Sequence, residues 1–284
     1  MSWSESALTF DCQGESLPAI ISLPANGMAE RGVLIVVGGP QYRAGSHRQF
    51  VLLARHLARH GIAAMRFDYR GMGDAGGELH NFEQIDDDLR AAIDAFQHAA
   101  PAVREVVIWG LCDAASAALF YAWRDKRVTG LVLLNPWVRT EAGLARAYIK
   151  HYYRQRLLSA EFWRKLLCGG VDLKDAWRSL VDKLAQARQP AAPVAELGLD
   201  ASLSLPDRMC EGLRRFAGRV LLVLSGDDLT AAEFREAVAA SPDWQAQLAA
   251  PRVTQRELAE ANHTFSRREW RDRVADWTLS WVRE

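Results

Sequence analysis

The chain is expected to fold as an α/β protein: a mostly parallel central sheet with helices on both faces and one helical insertion. Two observations carry that expectation. Short apolar runs that end in Gly, Asp or Asn alternate with helix-like stretches, the pattern of a parallel sheet wrapped by helices. The alternation is then broken once, by a long segment of helical character. The 284 residues exceed a typical domain, yet α/β folds of this size often form one unit.

The elements follow in order. Residues 7–23 resemble a hairpin turning at Gln13-Gly14, suited to antiparallel pairing at the sheet edge. Residues 32–39 (GVLIVVGG) form a buried strand. Residues 46–60 place apolar side chains at 50, 53, 54 and 57 and predict a helix. A strand at 62–67 and a helix at 82–99 come next, the latter with Asp86-Asp87-Asp88 near its positive end. Strand 103–109, helix 114–124 and strand 130–135 complete the first half. After a long gap, strand 219–224, helix 231–240, strand 252–258 and helix 267–282 close the chain.

The gap has a different character. Residues 139–218 hold 14 Lys/Arg against 9 Asp/Glu, in a chain whose 35 basic and 35 acidic residues cancel. It contains an aromatic cluster (Tyr148, Tyr152, Tyr153, Phe162, Trp163) and a loop at Gln189-Pro190-Ala191-Ala192-Pro193. Residues 1–137 and 219–284 are therefore expected to form the core. Residues 138–218 are expected to form a lid over the carboxyl ends of the strands, where ligands of open α/β sheets bind.

Composition excludes several classes. Charged residues are 25% and hydrophobic residues 49%, a globular balance. Zero net charge gives no reason to expect nucleic acid or a membrane surface as partner. No apolar run reaches the roughly 18 residues of a membrane span. The start, MSWSESALTF, lacks the basic and apolar regions of a secretory signal. Cys12, Cys112, Cys168 and Cys210 lack CxxC spacing, so reduced thiols and a cytoplasmic location are expected.

The chemistry centres on Val106 to Ser116, which reads VVIWGLCDAAS. A strand enters Gly-x-Cys-x-Ala and leaves as a helix. This matches the nucleophile elbow G-x-S-x-G, with Cys in place of Ser and Ala in place of the last Gly. On so tight a turn the neighbours two positions away must be small, and Gly110 and Ala114 are. The helix end beyond favours thiolate over thiol at Cys112. A buried cysteine is the plain alternative; the spacing and flanking elements favour catalysis. Ser116 lies a turn into the helix, away from the elbow.

A nucleophile needs a base, and the base an orienting acid. Downstream histidines are His151, in the basic insert, and His263, between the last strand and the last helix. His263 stands where the base belongs. The acid is sought after strand 219–224, in Ser225-Gly226-Asp227-Asp228-Leu229-Thr230. Asp228 is preferred and Asp227 is the fallback; either also suits the cap of the following helix. For the oxyanion, one backbone donor is Asp113. The second belongs to the loop Gly38-Gly39-Pro40-Gln41-Tyr42-Arg43, where Gly permits close approach. Pro40 has no N–H, so Gln41 is the expected donor, and Gly39, Pro40 and Tyr42 are expected at the substrate.

Two other signals are set aside. Gly71-Met72-Gly73-Asp74-Ala75-Gly76 spells G-x-G-x-x-G, but it does not join a strand directly to a helix, so no nucleotide is expected. His56 and His60 are four apart on a helix without the Glu of H-E-x-x-H, and no metal or other cofactor is expected.

Taken together, these residues resemble the α/β-hydrolase superfamily over essentially the whole chain. More narrowly, Gly38–Phe50 (GGPQYRAGSHRQF) and Ser225–Phe234 (SGDDLTAAEF) resemble the exosortase A system-associated hydrolase 1 family. Those bacterial proteins are encoded with exopolysaccharide-synthesis and protein-sorting genes. The resemblance implies an α/β-hydrolase fold and hydrolysis of an ester, thioester or lactone in a small acyl substrate. Acyl transfer by the same residues, and a non-catalytic binding scaffold, are the rival functions. The chain departs from the common pattern in its Cys nucleophile and in Gly38-Gly39 where many relatives have His-Gly.

Overall fold

A computed structural model describes residues 3–25, 29–39, 41–138, 199–200 and 202–284. Pro40, His151, Cys168, the aromatic cluster at 148–163 and the loop at 189–193 lie outside the described residues. The chain divides into a unit of Met1–Val138 with Pro206–Glu284 and a second of Arg139–Leu205.

The first unit contains eight described strands: β1 (Trp3–Cys12), β2 (Glu15–Pro24), β3 (Arg31–Val36), β4 (Ala64–Phe67), β5 (Glu105–Leu111), β6 (Val128–Leu134), β7 (Arg219–Asp227) and β8 (Val253–Asn262). They form one sheet in the order β1-β2-β4-β3-β5-β6-β7-β8. From β4 to β8 every pairing is parallel; β1 and β2 run antiparallel at one edge. The edge hairpin turns at Gln13 (φ 53°) and Gly14 (φ 84°). Two residues of positive φ match the right-handed twist of the strands they join.

The described helices are α1 (Gln49–Arg59), α2 (Asp86–Ala99), α3 (Asp113–Tyr121), α4 (Leu205–Arg215), α5 (Leu229–Ala240), α6 (Pro242–Leu248) and α7 (Arg268–Arg283). Helices α1 and α7 pack together on one side, and α2 and α3 on the other. Central strands covered on both sides must be apolar throughout. Accordingly Val33, Leu34, Ile35 and Val36 in β3 and Leu131, Val132 and Leu134 in β6 are wholly buried.

Four details differ from the sequence reading. Helix 82–99 is a short 3-10 turn (Phe82–Gln84) followed by α2, because buried Ile85 leaves helical geometry at φ −102°, ψ 17°. Strands β5, β7 and β8 run two to four residues further toward their carboxyl ends, so they carry the chain up to the site. Helix α6 was not foreseen, although Ser241 caps it by accepting from the Trp244 N–H and Pro242 opens its first turn. Finally, residues 206–218, expected in the insert, belong with the core. Met209, Leu213 and Phe216 are buried, and a Cβ on Gly212 would lie 2.1 Å from the Leu119 carbonyl oxygen.

Candidate active site

Strand β5 delivers Cys112 to the rim of the sheet. Cys112 adopts φ 64°, ψ −125° and forms the N-cap of α3. A residue with a side chain holds such a conformation only where its surroundings fix it. Here they do. The Cys112 N–H donates to the Leu134 carbonyl at 2.9 Å, and the Cys112 carbonyl accepts from the Trp137 N–H at 3.2 Å. Behind it, a Cβ on Gly110 would stand 2.6 Å from the Ala114 carbonyl carbon and 2.8 Å from the Ala115 nitrogen. Only glycine lets strand and helix meet this closely. Ser116 is buried, and its hydroxyl donates to the Trp137 carbonyl at 2.7 Å.

His263 follows β8, in a turn built by its neighbours. Asn262 Oδ1 accepts from the Ser266 N–H at 3.0 Å, and Asn262 Nδ2 donates to Ser266 Oγ at 2.8 Å. Phe265, at φ 51° and 2% exposed, anchors the turn in the core. His263 Nδ1 meets Asp228 Oδ2 at 2.9 Å. Asp227 is the last residue of β7 and is exposed. Asp228 also caps α5, accepting from the N–H groups of Thr230 (3.3 Å) and Ala231 (3.1 Å). Burial pushes its carboxyl up, but the His263 hydrogen bond and charge and those two N–H groups outweigh this and hold it below the usual Asp range.

A polar link that sequence reasoning missed joins these parts. Asn135, at the end of β6, is buried at φ 43°. Its Nδ2 donates to Ser225 Oγ (2.8 Å) and to the His263 carbonyl (3.0 Å), while its Oδ1 accepts from the Ser225 N–H (2.8 Å). Asn tolerates positive φ better than most residues, which suits it to this corner. An Asn at the carboxyl end of a buried strand was the available signal.

The glycine loop faces the elbow. A Cβ on Gly38 would stand 2.2 Å from the Leu111 carbonyl oxygen and 2.6 Å from Asp113 Oδ1. A side chain at position 38 would therefore run into the backbone of the elbow. The Gly39 N–H donates to Asp113 Oδ1 at 2.6 Å. The Gln41 N–H, expected to face the substrate, instead closes a tight turn onto the Gly39 carbonyl at 2.7 Å. Gly39, Gln41, Tyr42, Tyr69 and Asp113 line a common cleft. Burial raises the Asp113 carboxyl above its usual range, against the opposing pull of the Gly39, Ala114 and Asp113 N–H groups and of His263.

The glycines of 71–76 have structural work. A Cβ on Gly71 would stand 2.4 Å from the Glu78 carbonyl oxygen, and one on Gly73 would stand 2.4 Å from Asp68 Oδ2. Asp68 is fully buried, accepting from the Arg43 and Asp74 N–H groups (2.6 and 3.1 Å) and pairing with the Arg43 guanidinium. Next to it, Arg70 pairs with buried Asp88 at 2.8 Å and pins this segment to α2. The His56 and His60 rings lie 4.6 Å apart and tilted by 49°, and among the described residues no group of three or more His, Cys, Asp or Glu is placed to hold a metal. No described helix is long and apolar enough to cross a membrane.

Comparison with known proteins agrees with the fold. The model of the alpha/beta hydrolase family matches residues 33–277. An uncharacterized Pseudomonas aeruginosa protein, PA2218, is 32% identical over 123 residues, 42% of this chain and 33% of that one. Its solved structure superposes with a TM-score of 0.61 at 20% identity, covering 99% of this chain and 94% of the other. The polyketide transferase GrgF of a Penicillium species is 32% identical over 91 residues, 30% of this chain and 31% of that one. Its structure gives a TM-score of 0.61 at 17% identity, over 100% and 98% of the two chains. The sequence matches thus span about a third of each curated relative. An esterase of Pyrococcus furiosus, Pf2001, has a TM-score of 0.65 at 14% identity, covering 99% and 92%. The fold, the strand-to-helix turn at Cys112 and the match over residues 33–277 lead to one conclusion: the chain belongs to the alpha/beta hydrolase family.

Proposed function

We propose that this protein is an acyl hydrolase that works through a covalent thioester on Cys112, with His263 as base and Asp228 as the residue that orients it. The observation that carries the reading is the backbone of Cys112. A strained, non-glycine residue at φ 64° sits on a strand-to-helix turn after β5, and the His263–Asp228 pair follows β8 and β7, whose carboxyl ends lie at the same end of the sheet. In a parallel sheet the carboxyl ends of β5, β7 and β8 share one edge, so the three residues arrive from one direction.

The chemistry follows from the groups. His263 takes the Cys112 proton, and the thiolate attacks the acyl carbonyl of an ester, thioester or lactone. The resulting oxyanion is held by the N–H of Asp113. The tetrahedral species collapses, expelling the leaving group, which takes the proton from His263. Water, deprotonated by His263, then cleaves the thioester and frees Cys112. Asp228 keeps His263 in the tautomer this needs and stabilises its charge.

Acyl transfer, in which an alcohol or amine replaces water, is the second reading. The relative named as a polyketide transferase favours it. The motifs at 38–50 and 225–234 resemble exosortase A system-associated hydrolases, and on that resemblance the reaction would stand beside bacterial exopolysaccharide synthesis. The basic composition of residues 139–218 suits a substrate with an anionic or sugar-like part.

The test is a panel of aryl esters, thioesters and lactones with the parent and Cys112→Ala, with intact-mass measurement of the protein. A mass increment on Cys112 that decays in water, absent from Cys112→Ala, supports hydrolysis. Decay only when an alcohol or amine is added supports transfer. Parent-level turnover by Cys112→Ala removes Cys112 from the mechanism.

A further inference from the structure

We propose that the Arg43–Asp68 ion pair is a clasp that holds together the two walls of the substrate cleft, and that the cleft so formed takes an apolar acyl chain. Arg43 and Asp68 are then positioning residues, which stand behind the walls and act through Tyr42 and Gly73. The inference deepens the acyl-enzyme reading above and rests on it for the bound group being acyl.

Loop 38–43 leaves β3 and segment 68–82 leaves β4, and these two strands are neighbours in the sheet. Asp68, the residue after β4, is wholly buried. Its Oδ1 accepts from the Arg43 N–H at 2.6 Å. Its Oδ2 accepts from the Arg43 guanidinium, and from the Asp74 N–H at 3.1 Å. The guanidinium reaches on to Asp74 Oδ2 at 2.7 Å, and the Arg43 carbonyl accepts from Arg66 at 3.3 Å. Arg43 is thus held by its N–H, its carbonyl and its side chain, all from β4 and the segment after it. Gly73, at φ 56°, brings the two walls into contact: a Cβ there would stand 2.4 Å from Asp68 Oδ2 and 2.7 Å from the Tyr42 Cβ. The rest of the loop follows Arg43 because it is tied across itself. The Gly45 N–H donates to the Tyr42 carbonyl at 2.8 Å, and the Ser46 N–H to Gln41 Oε1 at 3.0 Å. A buried ion pair is a weak way to gain stability, since desolvation offsets the attraction. What this one supplies is geometry, because a planar guanidinium set between two carboxylates fixes the direction of both.

The cleft between those walls has a volume of about 920 Å³, within the range of small-molecule sites. Tyr42 lines it from the loop, and Tyr69, Met72, Leu79 and Phe82 line it from the segment after β4. Asp113, next to Cys112 in the chain, lines it as well. Of the polar side chains in the lining, Gln41 and Asp74 are already bonded to Ser46 and Arg43. Four large hydrophobic side chains are exposed among the described residues, and two of them, Tyr42 (51%) and Leu79 (72%), border this one cleft. Apolar surface gathered from two walls onto one concave site marks a ligand of the same character. Such a site suits an acyl chain of several carbons, with its carbonyl at Cys112 and its methylene groups along Tyr42, Met72 and Leu79. A shift of loop 38–43 against segment 68–82 would separate those side chains, and the clasp is what opposes it.

The experiment measures binding apart from chemistry. Two ketones that cannot be cleaved, 2-nonanone and butanone, are titrated calorimetrically into the parent, Arg43→Lys and Asp68→Asn. Lys keeps the charge but not the fork that spans two carboxylates; Asn keeps an acceptor for the Arg43 N–H but not the ion pair. The parent should bind 2-nonanone at least about tenfold more tightly than butanone. That preference should shrink at least about fivefold in both variants. Hydrolysis of p-nitrophenyl octanoate against the acetate should move in the same sense, with KM for the octanoate rising more than kcat falls. A parent that does not favour 2-nonanone, or binds neither ketone, overturns the apolar-chain assignment. A preference unchanged in the variants would mean that the pair only stabilises the fold, and would overturn the clasp. Melting curves show which variants are folded, and Arg43→Lys, at a partly exposed side chain, decides the matter if Asp68→Asn does not fold. If the ketone preference behaves as expected but Cys112 takes no acyl group from either ester, the clasp is supported and the acyl-enzyme reading fails, a result distinct from the others.

Discussion

The imidazole of His263 and the carboxylate of Asp228 meet at 2.9 Å, and the same carboxylate closes the first turn of α5 through the N–H groups of Thr230 and Ala231. One side chain thus both holds an imidazole and caps a helix. The two roles separate on substitution. Asn is as good a cap as Asp but cannot hold the imidazolium, so Asp228→Asn should keep its melting temperature and lose on the order of 10³–10⁴-fold in kcat. Asp228→Ala should lose both, with about 1 kcal/mol of stability gone with the cap. Kinetics and thermal melts on the same preparations check this. Equal destabilisation by Asn and Ala would contradict the division of roles.

Gly110 is fixed by contact with backbone, which cannot move aside as a side chain can. Gly110→Ala puts a methyl group 2.6 Å from the Ala114 carbonyl carbon. We expect about 1–3 kcal/mol of destabilisation, or more, from forcing the elbow open. Activity should be lost even in the fraction that remains folded. Urea denaturation with far-UV circular dichroism measures the first, and turnover per folded molecule the second.

Cysteine reactivity should be uneven. Burial pushes the thiols of Cys12 and Cys210 up to about 11. At neutral pH each then carries about a hundredfold fewer thiolates than an ordinary cysteine, besides being shielded from reagents. Iodoacetamide at pH 7.5 should therefore modify Cys112 well before either, and His263→Ala should slow that reaction. Peptide mapping by mass spectrometry reads the rates. Labelling of Cys12 or Cys210 at the pace of Cys112 would speak against a tuned nucleophile.

Asn135 joins the ends of β6, β7 and β8. Asn135→Ala removes three hydrogen bonds and leaves the buried Ser225 N–H without its acceptor, which costs roughly 1–3 kcal/mol. Because one of the three holds the His263 carbonyl, kcat should fall more than KM rises. Steady-state kinetics beside thermal melts separates the effects; a variant with parent kinetics would detach Asn135 from the site.

Acid should weaken the fold in part through Asp125. Burial pushes its carboxyl up, yet Arg127 and the Tyr121 hydroxyl outweigh that and hold it at about 2, below the ordinary 3.8. A carboxyl whose folded-state pKa is depressed contributes stability above its unfolded pKa and loses it as pH falls through the folded value. The contribution is therefore complete above about pH 4 and disappears between there and about pH 2. The difference in melting temperature between the parent and Asp125→Asn should be constant at pH 5–7 and shrink below pH 4. A difference that does not change with pH would assign the loss to packing instead.

Much of this molecule is written locally in the chain. Alternating apolar runs dictate a parallel sheet, because strands buried on both faces need apolar side chains at every position. Gly110 and Ala114 around Cys112 dictate a tight strand-to-helix turn, because nothing larger fits there. The hairpin at Gln13-Gly14 is legible for the same local reason. What only the tertiary structure decided is pairing across distance. Either Asp227 or Asp228 satisfied the sequence; the pleat of β7, continued to residue 227, leaves Asp228 as the carboxyl that meets His263. Asn135 stood at a strand end in the sequence, but its partners were hidden because they lie 90 and 128 residues away. The fate of the Gln41 and Gly39 N–H groups was hidden as well, since a backbone donor has no residue type, and its partner is set by where the folded loop comes to rest.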